Sequence, residues 1–393
     1  MTVRLLWAVS SVGLGHVMRD LSIVNQLQNR ANIDVHWLAP EPAGKFLRGK
    51  SHTVLPQSEK LEGSGRLYDR IFIDSTREFN LMTYTRADGR LHEHDFKLSA
   101  QAWKDTTYDL VVGDEAFWLL TGFASKWAPK PAPFIFLTDF IGVKAMRPHL
   151  LETLVAWQNN LRFTFSYLGP NVYVYIGARE EIPNERFGFL LPNRRKWAQR
   201  HCRFVKPIVS FAPELRSSRA SLRARLKLPL ESKVFLATVG PHGNQRERVL
   251  HLESVFEFLK LRYPDACFIL VGVEDHRKTW IQYHAYLDRL YEYFAAADFV
   301  VIQSGYGKVI ELLALGVPFI AVPLDFHFEQ EWVMANRLRH YGGGTLMTLR
   351  EHPPEAFAAK IQELIYRPVP PIPVDNGTEV ADLILKTVPP QKE

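Results

Sequence analysis

The segment from Ala297 to Gln330, ADFVVIQSGYGKVIELLALGVPFIAVPLDFHFEQ, constrains the fold more than any other part of the chain. An apolar run, Phe299 to Ile302, leads into Ser304-Gly305-Tyr306-Gly307. A helical pattern over Lys308 to Leu315 then stops at Gly316, and a second apolar run follows at Phe319 to Val322. Strand, glycine turn, helix and strand in that order make a βαβ unit of a parallel sheet. Glycines at such a turn let a ligand come against the backbone, and the helix start behind it offers unpaired amides and a positive dipole end. A diphosphate fits there, so Ser304, Gly305, Tyr306 and Gly307 are predicted to meet one. Lys308 stands at the helix end that disfavours a cation, which suits a phosphate contact better than a surface role. Glu311, one turn further, either holds a ribose diol or simply favours the helix start by its charge.

The same alternation runs through all 393 residues. Strands are predicted at Arg4 to Val9, Asp34 to Leu38, Leu110 to Val112, Phe134 to Leu137 and Val172 to Ile176. A second group follows at Val234 to Thr238, Cys267 to Val271, Phe299 to Ile302 and Phe319 to Val322. The two groups predict an α/β chain of two Rossmann-like domains, residues 1–206 and 207–366, facing each other across a cleft. Residues 367–393 are predicted as a separate segment, extended through Arg367-Pro368-Val369-Pro370-Pro371-Ile372-Pro373 and closing with a helix over about Thr378 to Lys386. No stretch is apolar enough for a spanning helix, and Leu5 to Val12 lacks the flanks of a signal peptide. Cys202 and Cys267 are too few for a disulfide framework, so the cytosol is expected. The formal charge of +6 suits phosphates, acidic polymers or an anionic membrane face. Its basic clusters, Arg194 to Arg203 and Arg216 to Lys227, also read as ordinary solvated helix faces. No nucleic-acid-binding module is present in the pattern.

A second constellation lies at the N-terminus, where the first strand runs into Ser10-Ser11-Val12-Gly13-Leu14-Gly15-His16-Val17-Met18-Arg19. Gly13 and Gly15 strip the turn of bulk and leave His16 at a helix start by the sheet edge. An imidazole there can serve as general base for an acceptor hydroxyl. Asp114, after the strand Leu110 to Val112, is its predicted carboxylate partner. Glu115 is the alternative, Asp139 a third by the same edge argument, and both Asp114 and Glu115 could equally be solvated loop acids. Arg19 either steadies an anionic substrate or pairs with Asp20 or another local acid. In Gly240-Pro241-His242-Gly243-Asn244, Gly240 is expected to bring backbone to a diphosphate, and His242 is not expected to act. No metal-ligand pattern occurs, and His92 and His94 read as surface loop residues.

The second constellation and the Ala297 to Gln330 segment together resemble GT-B glycosyltransferases, particularly the peptidoglycan N-acetylglucosaminyltransferase type and the natural-product glycosyltransferases. The likeness is good over Val234 to about Gly344 and loose elsewhere. It implies that Ser304, Gly305 and Gly307 hold the diphosphate of a nucleotide sugar, Glu311 the ribose, and Glu329 and Gln330 the sugar hydroxyls. It places Tyr286 and Leu287 at the base, where the bare sequence reads equally as packing before a helix. It gives His16, in Gly-x-Gly-His-x-x-Arg, the role of base or acceptor-pocket wall. Gln303 departs from the His usual in the natural-product enzymes, and Lys308 from a small residue.

The resemblance therefore implies an inverting, metal-independent transfer from a nucleotide diphosphate sugar, with uridine the expected base, to an acceptor hydroxyl. The nucleotide sugar is a co-substrate and no resident cofactor is expected. Rival readings are a nucleotide-sugar hydrolase of the pseudaminic-acid pathway type, which shares the N-terminal motif, and a non-catalytic nucleotide-sugar-binding subunit. The acceptor, whether small molecule, lipid or glycan, carries no motif. Peripheral contact at the inner membrane face is left open.

Overall fold

A computed structural model of the chain describes residues 2–10, 12–63, 65, 67, 78–240, 245–274 and 277–389. Its strands are β1 (Val3–Val9), β2 (Ile33–Leu38), β3 (Thr53–Val54), β4 (Leu110–Asp114), β5 (Phe134–Thr138), β6 (Val172–Ile176) and β7 (Cys202–Val205) in one sheet. A second sheet holds β8 (Val234–Thr238), β9 (Cys267–Val271), β10 (Ile281–His284), β11 (Phe299–Gln303), β12 (Phe319–Val322) and β13 (Thr345–Leu346). The orders are β3-β2-β1-β4-β5-β6-β7 and β10-β9-β8-β11-β12-β13, and the neighbouring strands within each sheet pair in parallel.

Parallel strands carry helices on both faces, which is why the inner strands are apolar throughout instead of alternating. Leu5 to Val9, Leu110 to Val112, Phe134 to Leu137 and Val234 to Ala237 are all buried. Aromatic rings fill the space between sheet and helices in the first unit: Phe96, Phe123, Phe134, Phe136, Tyr173 and Trp197 belong to one cluster. In the second, Phe235, Phe256, Phe268 and Phe357 do the same.

Among the described residues one unit comprises 2–67, 80–210 and 375–389, and the other 78–79 and 211–374. The terminal helix, Thr378–Thr387, is therefore not a free-standing tail. The Val209 amide donates to the Asp375 carbonyl at 2.9 Å and the Asp375 amide to the Pro207 carbonyl at 2.8 Å, on either side of a bridge between Ile208 and Asp375. Arg30 pairs with Asp382, and Gly377 packs so closely on Ile23 that a Cβ there would sit 2.8 Å from its backbone. The apolar face of the terminal helix, Val380, Ala381 and Ile384, is buried by these contacts. Glu78 and Phe79 belong to the second unit, where Glu78 bridges to Asp325.

Sheet topology positions the first candidate site. Strands β1, β4 and β5 are adjacent at the centre of their sheet, and the order reverses between β1 and β4. At such a reversal the connections leave on opposite sides and open a crevice at the carboxyl edge. Val9 pairs with Asp114, and Asp114 with Leu137, so the ends of all three strands coincide.

Candidate active site

Each of those three strand ends contributes side chains to one cluster. After β1, the chain turns through Gly13, whose φ of +73° suits glycine, and enters helix Gly15–Gln28, which carries His16, Arg19 and Asp20. Strand β4 ends on Asp114 and is followed by Glu115; β5 is followed by Asp139. His16 Nδ1 lies 3.4 Å from Asp114 Oδ1, and Nε2 lies 3.6 Å from Glu115 Oε2, so the ring is bracketed by two acids. The imidazole keeps 15% of its side-chain surface exposed while Asp114 has none. Neither acid is a solvated loop residue, and Asp114 and Glu115 both face the ring.

Arg19 organises the cluster. It donates to Asp114 through Nε at 3.0 Å and again through Nη2, to Asp139 through Nη1 at 2.9 Å, and its Nη2 stands 2.9 Å from His16 Nδ1. Its hydrogen-bonded carboxylates are thus Asp114 and Asp139, supplied by β4 and by the end of β5, while the adjacent Asp20 feels only its charge. Glu115 is held differently. It has a φ of +48°, in the left-handed region that a residue with a Cβ rarely occupies. Its Oε1 accepts from the Thr138 hydroxyl and the Asp139 amide, each at 3.1 Å, which fixes Oε2 toward the imidazole.

The charges follow from this packing. Burial by itself would lower the His16 pKa, but Asp114 and Glu115 outweigh it and hold the imidazole above its ordinary value. Burial would raise Asp114, but the Arg19 guanidinium and His16 keep it ionised and below the usual carboxylate range. An imidazole with a buried carboxylate at Nδ1, and Nε2 free of hydrogen bonds among the described residues, can take a proton at Nε2.

The second cluster is built at the end of β11. Gly305 caps helix Tyr306–Leu315, so the helix starts inside the predicted turn and Gly307 belongs to its first turn. At Gly305 a Cβ would meet nothing within 4 Å, which leaves the backbone open to a ligand. Ser304 is buried, and its hydroxyl donates to the Gln330 carbonyl at 2.9 Å, tying the turn to the next loop. The Gln330 side chain closes that loop as well, accepting from the Leu324 amide at 2.9 Å. Glu329 and Gln330 open a π-helical turn, Glu329–Val333, a rare local geometry often found at functional positions.

Lys308 is half-buried and reaches the Thr238 hydroxyl at 3.5 Å. Glu311, also half-buried, makes no side-chain hydrogen bond among the described residues; burial pushes its pKa up to about 7 against the pull of Lys308. Tyr306 turns its ring inward under the Arg337 guanidinium, 4.3 Å away, so its side chain packs and only its main chain faces the turn. At Gly240 a Cβ would collide with the Gln303 carboxamide, so the missing side chain there makes room for Gln303. The Gly240 carbonyl accepts from Arg248 at 3.0 Å. Tyr286 is exposed and Leu287 half-buried, just beyond β10. His242 lies outside the described residues.

Residues 267–376 match the model of the glycosyltransferase family 28 C-terminal domain. Over its whole length the chain is similar to the solved structure of the glycotransferase of kitacinnamycin, with a TM-score of 0.64, 15% identity, and 98% of this chain and 99% of that one covered. The fold is GT-B.

A GT-B chain has relatives by sequence too. One is the UDP-N-acetylglucosamine--N-acetylmuramyl-(pentapeptide) pyrophosphoryl-undecaprenol N-acetylglucosamine transferase of Bifidobacterium longum, 32% identical over 99 residues, 25% of each chain. Another is an uncharacterized glycosyltransferase of Methanosarcina acetivorans, 28% identical over 260 residues, 59% of this chain and 63% of that one. The matches thus span a quarter and somewhat under two thirds of those relatives. The family 28 match covers β11, the glycine turn and the helix with Glu311, whereas the His16 cluster lies outside it.

Sequence reasoning overlooked Thr138, Arg248 and the commitment of Gln330 to its own loop. Their roles depend on side-chain direction at strand ends, which spacing does not encode. Among the described residues no three or more His, Cys, Asp or Glu side chains group as a metal ion would require.

Proposed function

We propose that the chain is an inverting, metal-independent glycosyltransferase that takes a sugar from a nucleotide diphosphate sugar. The observation that carries this reading is the open helix start at Gly305, inside the segment that matches the family 28 domain. The amides of the first turn of helix Tyr306–Leu315 would receive the diphosphate, and Lys308 would add a positive charge. Glu311 would hold the ribose, Glu329 and Gln330 the sugar, and Tyr286 and Leu287 the base, taken as uridine from the name of the Bifidobacterium relative.

In the chemical step His16 Nε2 takes the proton of an acceptor hydroxyl. The acceptor oxygen attacks the anomeric carbon as the bond to the diphosphate breaks, and the configuration inverts. Asp114 orients the ring through Nδ1, and Glu115 stabilises the imidazolium that forms. The helix-start amides meet the charge that develops on the leaving diphosphate.

Peripheral contact with an anionic membrane face has its own support. Helix Leu150–Phe163 packs Glu152, Ala156 and Asn160 inward and leaves Leu150, Leu151 and Leu154 exposed by 75%, 57% and 53%. Glu152, the helix's acid, is buried and accepts from the Met146 amide, so the outer face, where Thr153, Gln158 and Arg162 accompany these leucines, carries no negative charge. Such a face suits a lipid surface. Among the described residues no helix is long and apolar enough to cross a membrane.

The deciding experiment offers uridine, thymidine and guanosine diphosphate sugars without divalent metal and follows both melting temperature and product mass. A rise in melting temperature with one donor supports the donor site. No rise with any of them sinks it, and turnover to free sugar without an acceptor product favours the hydrolase.

A further inference from the structure

Asp20 lies on helix Gly15–Gln28 and has no exposed surface. Neither of its carboxyl oxygens receives a hydrogen bond from any donor among the described residues. The groups that face it are the Asp114 carboxyl from β4, the Trp7 indole from β1, and Arg19 from its own helix. An ionised carboxylate in this place would forfeit its hydration and face the charge of Asp114, with only the Trp7 indole and the Arg19 charge to offset the loss. Two carboxyl groups within reach of each other share a hydrogen bond only when one of them carries a proton. Asp114 cannot be that one, since Arg19 grips it through two nitrogens and His16 faces it. The proton therefore resides on Asp20, whose burial and acidic neighbour favour the neutral form.

We propose that Asp20 is a permanently protonated acid that donates a hydrogen bond to Asp114 and, with Arg19, positions the carboxylate facing His16. It moves no proton during turnover. Arg19 and Asp20 hold Asp114 from one helix, so the helix that carries the base also fixes the base's partner. Donation from Asp20 spreads the charge of Asp114 and tempers its pull on the imidazolium. The functional meaning of this arrangement rests on His16 acting as the base; the protonation of Asp20 does not.

Two measurements test it in the intact chain. Infrared difference spectra of the wild type against Asp20→Asn at neutral pH should show the carbonyl stretch of a protonated carboxyl group lost in the variant. A wild type without that band overturns the proposal. Separately, the His16 ring is titrated by NMR in Asp20→Asn, which retains a donor, and in Asp20→Leu, which has none. The leucine variant should move the His16 midpoint upward and lower kcat about tenfold with donor KM little changed, and asparagine should rescue both. Equal behaviour of the two variants would refute the positioning role. Should the leucine variant not fold, the infrared band still decides. If His16→Ala retains full activity the base reading fails, while the band and the protonation of Asp20 stand or fall on their own.

Discussion

Arg19 and Asp114, 95 positions apart, are joined through both Nε and Nη2 of the guanidinium, with Nε at 3.0 Å. The acid supplied by β4 is thereby clamped to the helix that carries His16. A charge-assisted pair with two contacts holds direction as well as distance, so Asp114 meets the imidazole in a fixed orientation.

His16→Ala is expected to lower sugar transfer by roughly 100- to 10,000-fold, the usual effect of losing a positioned base. Donor affinity, measured by calorimetry, should be nearly unchanged, because the cluster of His16 and the helix start at Gly305 belong to different units. A loss of donor binding would mean that His16 meets phosphate instead.

The pH dependence follows from the same cluster. A general base acts when unprotonated, and Asp114 and Glu115 hold the His16 pKa above its ordinary 6.5. The kcat/KM profile should therefore rise with pH through a midpoint above that value and then level. Asp114→Asn removes the strongest upward pull, so the midpoint should fall while the plateau drops. A profile whose midpoint is unmoved in this variant would detach Asp114 from the imidazole.

Gly305→Val offers a clean probe of the helix start. The site for its Cβ is empty to 4 Å, so the fold should tolerate the branch and the melting temperature without ligand should hold. Nucleotide-sugar binding should be lost, since the methyls would stand where the phosphate approaches. Retained binding would place the diphosphate elsewhere.

Glu311 titrates near 7, raised by burial. An ionised carboxylate accepts from ribose hydroxyls better than a neutral acid does, so donor affinity should rise with pH through about 7. Glu311→Gln should flatten that dependence, and Glu311→Ala should weaken binding by roughly 1.5 to 3 kcal/mol. Calorimetry across the range checks both.

Leu151→Glu combined with Leu154→Glu is expected to reduce sedimentation with vesicles containing anionic lipid and to leave the melting temperature unchanged. Both side chains are more than half exposed, so the fold does not depend on them. Wild-type sedimentation by the double variant would remove the membrane reading.

The inner strands were legible because a strand flanked on both sides and covered on both faces must be apolar along its length. Val172–Ile176, Val234–Thr238, Cys267–Val271 and Phe319–Val322 have the predicted bounds. The four strands absent from the prediction, Thr53–Val54, Cys202–Val205, Ile281–His284 and Thr345–Leu346, are the four sheet edges. Edge strands are short and partly exposed, and Thr53, Arg203 and Gln282 sit in them as solvent-facing residues.

The sequence by itself determined the βαβ unit with its glycine turn, the placing of His16 after another, and the acids that follow strands β4 and β5. Local chemistry suffices for these, since turns, caps and apolar runs are properties of neighbouring residues. Only the tertiary structure decided which partner each group has. Arg19 takes Asp114 and Asp139 instead of the adjacent Asp20, Gly240 makes room for Gln303, Tyr306 turns inward beneath Arg337, and Gln330 binds its own loop. The physical reason is that hydrogen bonds and charge pairs at a parallel sheet's edge join strands that are neighbours in space and remote in sequence. Which strand ends meet is set by the sheet order.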